Sequence, residues 1–173
     1  MNNYLLSIDP SIKNTGFTLW ENKKPVWINS YSFKKYTEKY IEIKFNAFII
    51  DEINSYDECI NKNNLYLVIE RGIFNPKFGK GKETLDHLRG FIVGQFNKLL
   101  TKDMLVSSSE WRKWYQNLDE IKYNWNYKPW TKELSIELSQ FMIKNHNWNI
   151  KIKDHDQAES LLIGWYYLNK EVK

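Results

Sequence analysis

The chain has 173 residues with 42% hydrophobic content, enough for one globular domain with an ample core. Lys and Arg outnumber Asp and Glu by 25 to 21, an excess that permits a nucleic-acid partner without demanding one. The single cysteine, Cys59, excludes an internal disulfide and a multi-cysteine zinc site, and no segment approaches the ~18 consecutive apolar residues of a membrane span, so the expectation is a soluble cytoplasmic protein with no membrane partner.

Leu5 to Ile8 form an apolar run that ends on Asp9, as a buried strand carrying a carboxylate at a sheet edge would. Pro10 to Gly16 supply turn chemistry, and Phe17 to Trp20 alternate as a hairpin partner does. Pro25 restarts the chain, and Val26 to Phe33 read as a third strand, giving an antiparallel meander. From about Tyr36 to Ile60, Ile41, Phe45, Phe48, Ile49, Ile53, Tyr56 and Ile60 recur at the three- and four-residue spacing of an amphipathic helix.

Leu65 to Ile69 make a second apolar strand ending on an acid, Glu70. A helical crossover between the third strand and this one makes it parallel to a strand already in the sheet, which brings Asp9 and Glu70 to the same edge. Arg71 to Lys82 read as an exposed loop. A helix follows with Leu85, Leu88, Phe91, Ile92, Phe96 and Leu99 on one face and Gly90 and Gly94 allowing close packing. Met104 to Val106 form a short strand, and Ser107 to Ser109 offer caps for a brief helix containing Trp111, Arg112 and Lys113. Asn117 to Pro129 are irregular and aromatic. Thr131 caps a helix running to about Asn145, and a last amphipathic helix starts near Asp154, with Ala158, Leu161, Leu162, Trp165 and Leu168 on its buried face. No repeat or linker interrupts this order, so the expected architecture is one mixed α/β domain over residues 1–173.

Four acids stand out. Asp9 and Glu70 end strands, while Asp156 and Glu159, three apart, project from one side of the last helix's opening turns. Singly, each has a plain structural explanation: a turn acid before Pro10, a partner for Arg71, a pair that charges a helix start. Jointly, they suggest a metal site. Close carboxylates repel unless a cation lies between them, and hard oxygen ligands select Mg²⁺ or Mn²⁺. Two such ions about 4 Å apart activate water and stabilise the leaving oxygen of a phosphodiester. His155 lies inside this acidic segment, and helix capping is the simpler explanation for it. Cys59, with no His partner implied, reads as structural, and no role is read for His87 or His146.

Ile8-Asp9-Pro10 with Asn14-Thr15-Gly16, Val68-Ile69-Glu70, Leu88-Arg89-Gly90 and Asp156-Gln157-Ala158-Glu159-Ser160-Leu161 together resemble the motifs of the RuvC-type Holliday junction resolvases, most of all their phage forms, within the ribonuclease H-like superfamily. The resemblance covers Leu5 to about Trp165. It implies a ribonuclease H-like α/β fold: a mixed five-stranded sheet, an antiparallel meander of three strands plus parallel strands, flanked by helices. It also implies a crossover junction endonuclease that nicks symmetrically opposed strands of a four-way DNA junction, works as a homodimer, and uses two Mg²⁺ per active site with Mn²⁺ able to substitute. The setting would be the cytoplasm, that of a bacterial host for a phage protein.

On matching positions, Asp9, Glu70, Asp156 and Glu159 carry over as metal ligands. The family usually has Asp where Glu159 stands and Gly where Ser11 stands, and Asp154 replaces Asp156 as ligand if the register shifts by two. Lys113 and Lys132 resemble lysines that assist at the scissile phosphate. Phe74, with Phe78 competing, matches an aromatic residue that wedges into the junction. Lys13, Lys77, Lys80, Lys82 and Arg89 are candidates for the DNA-binding surface. The acids do not by themselves distinguish junction resolution from cutting of flaps, other branched DNA or RNA–DNA hybrids, or from a non-catalytic nucleic-acid-binding relative. A sugar-kinase or actin type of fold also opens with an Asp-containing hairpin, but 173 residues are too few for its two lobes.

Overall fold

Leu5, Leu6 and Ile8 on one side of a hairpin and Phe17, Leu19 and Trp20 on the other draw β1 (Tyr4–Asp9) and β2 (Thr15–Glu21) together, in a register that sets Asp9 opposite Gly16. The turn between them is tied by Thr15, whose Oγ1 accepts from the Ser11 amide at 3.0 Å and donates to the Ser11 carbonyl at 2.6 Å. Ser11 has no positive φ, so the turn does not need the glycine expected there. Asn22 and Lys23, at φ 48° and 66°, form the left-handed pair of a two-residue hairpin leading into β3 (Lys24–Tyr31). This strand begins and ends two residues earlier than its apolar run predicts. Pro25 is accommodated because β3 is an edge strand and the register shifts beside Trp20.

These features come from a computed structural model that describes residues 4–34, 41–58, 60, 64–71, 79–119, 121 and 129–170. The helical stretch after the meander consists of α1 (Ile41–Phe45), a wide π-type turn (Asn46–Ile50) and α2 (Asp51–Tyr56). Phe45, Ile49 and Ile53 are buried as the periodicity predicts, whereas Phe48 is 56% exposed. The π turn adds a residue to one turn and so rotates Phe48 off the buried face. β4 (Leu65–Arg71) then runs parallel to β1, and β5 (Leu105–Ser107) parallel to β4, for a sheet order of β3-β2-β1-β4-β5. The expected mixed five-stranded sheet is therefore observed.

Alternate residues of the central strands feed two cores. Leu6, Ile8, Phe17, Leu19, Leu67 and Ile69 pack with Phe45, Ile49 and Ile53 and with Leu88 and Ile92 of α3 (Gly79–Gln95). Leu5, Trp20, Val68 and Val106 face the other way, onto Trp111 and Tyr115 of α4 (Ser108–Gln116), Leu138 and Met142 of α5 (Lys132–Asn145), and Leu161 and Leu162 of α6 (His155–Asn169). Thr131 caps α5 by accepting from the Leu134 amide. Two expectations for α3 fail. The helix ends at Gln95, with Asn97 in the left-handed region at φ 54°, which leaves Leu99 85% exposed. A Cβ at Gly90 or Gly94 would meet nothing within 4 Å, so neither glycine serves a close contact.

The close contacts are made instead by α6. A Cβ at Gly164 would lie 2.2 Å from Trp20 Nε1 and 2.4 Å from Ser7 Oγ. Around it a buried polar ladder pins helix to sheet: Trp20 Nε1 donates to Ser7 Oγ (2.8 Å), Ser7 Oγ to the Ser160 carbonyl (2.7 Å), and Thr18 and Ser160 share a hydroxyl contact of 2.7 Å. Every buried polar group named here has a partner, which such a dry interface requires. Gly164→Ala is expected to lower stability by about 2–3 kcal/mol through overpacking, while Gly90→Ala, in open space on a helix, is expected to raise it by about 0.5–1 kcal/mol. Chemical denaturation of the two variants checks both signs.

Candidate active site

Asp9 is the last residue of β1 and Glu70 the penultimate residue of β4. Because Ile8 pairs with Ile69 in the parallel ladder, the two acids follow one another across the sheet at its carboxyl edge. The start of α6 is brought onto this edge by Gly16, where a Cβ would lie 1.9 Å from the Asp156 carbonyl oxygen. Only a residue without a side chain allows that approach at the strand position opposite Asp9. As a result, Asp9, Glu70 and Glu159 each offer an oxygen within 4.8 Å of the others. Asp156 lies at the rim of the same cluster, lining with Asp9 and Glu159 a cleft whose other walls include Arg112, Trp130, Lys132 and His155.

Glu70, Glu159 and Asp156 are each held by their own partners. Trp111 Nε1 donates to Glu70 Oε2 at 3.0 Å, and Arg89 Nε donates to the Glu70 carbonyl at 2.9 Å. Ser135 Oγ donates to Glu159 Oε1 at 2.8 Å, and Arg112 Nη2 approaches Oε2 at 3.2 Å. Asn14 Nδ2 donates to Asp156 Oδ2 at 3.0 Å, while His155 Nε2 lies 3.2 Å from Oδ1. Asp154, the alternative ligand, spends its oxygens elsewhere: Oδ1 accepts the Gln157 amide as the α6 cap, and Oδ2 accepts from Asn14 and from Ser30 Oγ.

The arrangement is electrostatically expensive without a cation. Burial, and then the charges of Glu70, Glu159 and Asp156, push the Asp9 carboxyl well above the usual carboxylate range, with Arg112 opposing. Burial likewise pushes Glu70 up to about 7 against the pull of Arg112, and raises Asp156 against the Asn14 hydrogen bond. Three convergent, largely buried carboxylates, among them Asp9 and Glu70 whose ionisation is disfavoured until a positive charge arrives, fit a hard divalent cation, whose preferred donors are carboxylate oxygens. Asp9, Glu70 and Glu159 are the residues able to hold one.

The other predicted residues divide by position. Lys132 lines the acidic cleft, whereas Lys113, the next residue along α4 from Arg112, is turned away into a separate cleft with Trp114, Tyr166 and Lys170. Arg112 reaches the acids in its place. Its pairing with Glu159 joins residues 47 apart, so no local pattern announces it. Arg89 is 4% exposed and bonded to Asp86 and the Glu70 carbonyl, which makes it a support under the site and removes it from any DNA-facing surface. Lys13 is exposed on the β1–β2 turn. Phe74, Lys77 and Phe78 and the side chains of Lys80 and Lys82 lie outside the described residues, as does Cys59. His87 is exposed, and His146 stacks on Trp148 and meets Trp165 at a tilt. No described helix is long and apolar enough to cross a membrane.

No protein-family model matches the sequence, and no curated protein matches it either. Solved structures do. T. thermophilus RuvC in complex with a Holliday junction substrate superposes with a TM-score of 0.54 at 10% identity, covering 97% of this chain and 96% of that one. A second Thermus thermophilus RuvC structure gives a TM-score of 0.49 at 8% identity over 94% of this chain and 91% of that one, and the Fowlpox virus resolvase with its Holliday junction DNA gives 0.44 at 18% identity over 98% and 99%. With both chains covered almost end to end in the first comparison, and with the strand order and edge acids described above, the chain has the ribonuclease H-like fold in its RuvC-type form.

Proposed function

We propose that this chain is a divalent-cation-dependent endonuclease that resolves four-way DNA junctions by paired, symmetric nicks. The observation that carries the reading is the convergence of Asp9, Glu70 and Glu159 from three separate elements to within 4.8 Å at the carboxyl edge of a RuvC-type sheet. The substrate class is taken from T. thermophilus RuvC, which shares the fold and is bound to a Holliday junction. Among the described residues there is one such cluster, so two opposed cuts need two copies of the chain, and a homodimer is part of the proposal.

In this reading Asp9, Glu70 and Glu159 hold Mg²⁺ or Mn²⁺, with Asp156 completing the ligand set for a second ion. Bound divalent cations supply Lewis-acid polarisation of a phosphoryl oxygen and acidify water. The chain's own groups prepare that chemistry. Trp111 fixes Glu70 through Oε2 and leaves Oε1 for a ligand. Asn14 holds the Asp156 carboxylate toward the cleft it lines. Lys132, exposed at the mouth, offers an ammonium to the incoming phosphate. Lys13 and the lysines 77, 80 and 82 add contacts to the DNA backbone, and Phe74 or Phe78 enters the junction centre.

Labelled four-way junction, Y-fork, flap, linear duplex and RNA–DNA hybrid, each incubated with Mg²⁺ or with EDTA, test the reading directly. Paired symmetric nicks on the junction alone, abolished by EDTA, are expected; equal cutting of every branched form would replace junction resolution with general debranching. Asp9→Asn is expected to lower the cleavage rate by about a thousandfold, the equivalent of several kcal/mol of lost cation-assisted stabilisation, with junction binding kept within a fewfold in a gel-shift assay. Full activity of that variant would remove Asp9 from the site.

The cluster also predicts a pH signature. Glu70 has its ordinary value near 4.5 unfolded and about 7 folded, so the cation-free folded state holds extra protons between those limits. Stability is then highest below about pH 4.5 as far as this group is concerned, and is lost as pH rises through 7. Thermal melting in EDTA should fall across that window, and added Mg²⁺ should restore the melting temperature above pH 7 while doing little at pH 4.5.

A further inference from the structure

Arg112 has more hydrogen-bonding capacity than the protein uses. Its guanidinium carries five N–H donors. Nη2 reaches Glu159 at 3.2 Å and 3.5 Å, longer than the ~2.7–2.9 Å of a tight charge-assisted pair. Nε is buried and has no acceptor among the described residues, a costly state for a donor. Glu159 does not depend on this pair for its position, because Ser135 holds Oε1 at 2.8 Å. Nor does Arg112 depend on it: the guanidinium carbon lies 4.9 Å from the Trp111 ring centre and 5.7 Å from that of Trp130, so the two indoles keep the charge beside the cleft whatever Glu159 does.

Glu159 is also one of the three carboxylates that converge for a cation. A divalent ion and Arg112 therefore draw on the same carboxylate. We propose that Arg112 is a built-in counter-ion for Glu159 that a divalent cation displaces, and that the freed guanidinium then grips a non-bridging phosphate oxygen of the DNA. Cation binding and DNA binding are thereby coupled through one side chain. The phosphate half of this proposal rests on the nuclease reading; the counter-ion half does not. Once freed, Arg112 is a phosphate-binding residue, and its planar fork suits a phosphate better than an ammonium does.

The test uses the full chain at pH 8.5. Mn²⁺ titrations without DNA are expected to give a severalfold tighter affinity for Arg112→Gln than for the wild type, with Arg112→Lys close to wild type; an unchanged or weaker affinity in Arg112→Gln overturns the counter-ion. Four-way junction affinity is then measured with Ca²⁺ or EDTA. Ca²⁺ should tighten binding about tenfold in the wild type and at most about twofold in Arg112→Gln, the difference being the coupling carried by Arg112. Undiminished Ca²⁺ dependence in that variant overturns the phosphate grip.

Glu159→Gln supplies an independent variant. It should bind the junction more tightly than wild type in EDTA, because Arg112 is already free, and that gain should vanish in the Glu159→Gln, Arg112→Gln double variant. Persistence of the gain would identify it as general charge relief and overturn the handover. If the wild type binds no junction with or without Ca²⁺, the nuclease reading fails and the phosphate grip with it, while the Mn²⁺ titration still decides the counter-ion.

Discussion

The close docking of the last helix onto the sheet is the constraint on which the rest of the molecule depends. α6 approaches β1 and β2 more nearly than side chains normally allow, and two glycines make this possible. Gly164 admits the Trp20 indole and the Ser7 hydroxyl, and Gly16 admits the backbone of Asp156. A dry contact of that kind strands polar groups unless they pair, and the Ser7, Thr18, Trp20 and Ser160 ladder pairs them. The helix start is thus held over the carboxyl edge of β1 and β4, which brings Glu159 within reach of Asp9.

That closeness has an electrostatic cost, which the surrounding residues distribute. Like charges are forced together in a place where burial already disfavours ionisation, as the raised Asp9, Glu70 and Asp156 carboxyls record. Trp111 and Ser135 each give one hydrogen bond to one acid, and Asn14 gives one to Asp156 and one to Asp154, enough to fix direction without neutralising charge. Arg112 contributes the positive charge, and Arg89 supports the backbone of Glu70 from beneath. A scaffold that concentrates negative charge and directs it inward has the donor set that a hard cation prefers.

Several local patterns were overridden once the chain packed. Phe48 belongs to the apolar stripe of its helix, yet a π turn from Asn46 to Ile50 rotates it into solvent. Leu99 continues the stripe of α3 in sequence, but the left-handed residue Asn97 ends the helix first. Lys113 and Arg112 are adjacent and chemically alike, and about 100° of helical rotation separates their directions, enough to send one into the acidic cleft and the other into its neighbour. Arg89 reads as a surface cation, and the carbonyl of Glu70 draws it inside.

Sequence alone was sufficient for the strand-forming runs, the three-stranded meander, the parallel return of the fourth strand and the placing of Asp9, Glu70, Asp156 and Glu159 at element ends. These are consequences of short-range periodicity, turn chemistry and the handedness of crossovers, all of which act within a few tens of residues. Tertiary structure alone decided which acids share a cluster, that Asp154 is a cap, that Gly16 and Gly164 are the glycines of close approach, and that Arg112 is the cation facing Glu159. Each of those outcomes joins residues far apart in the chain, and the angles and sub-ångström clearances that select between neighbours exist only after the sheet and its closing helix have met.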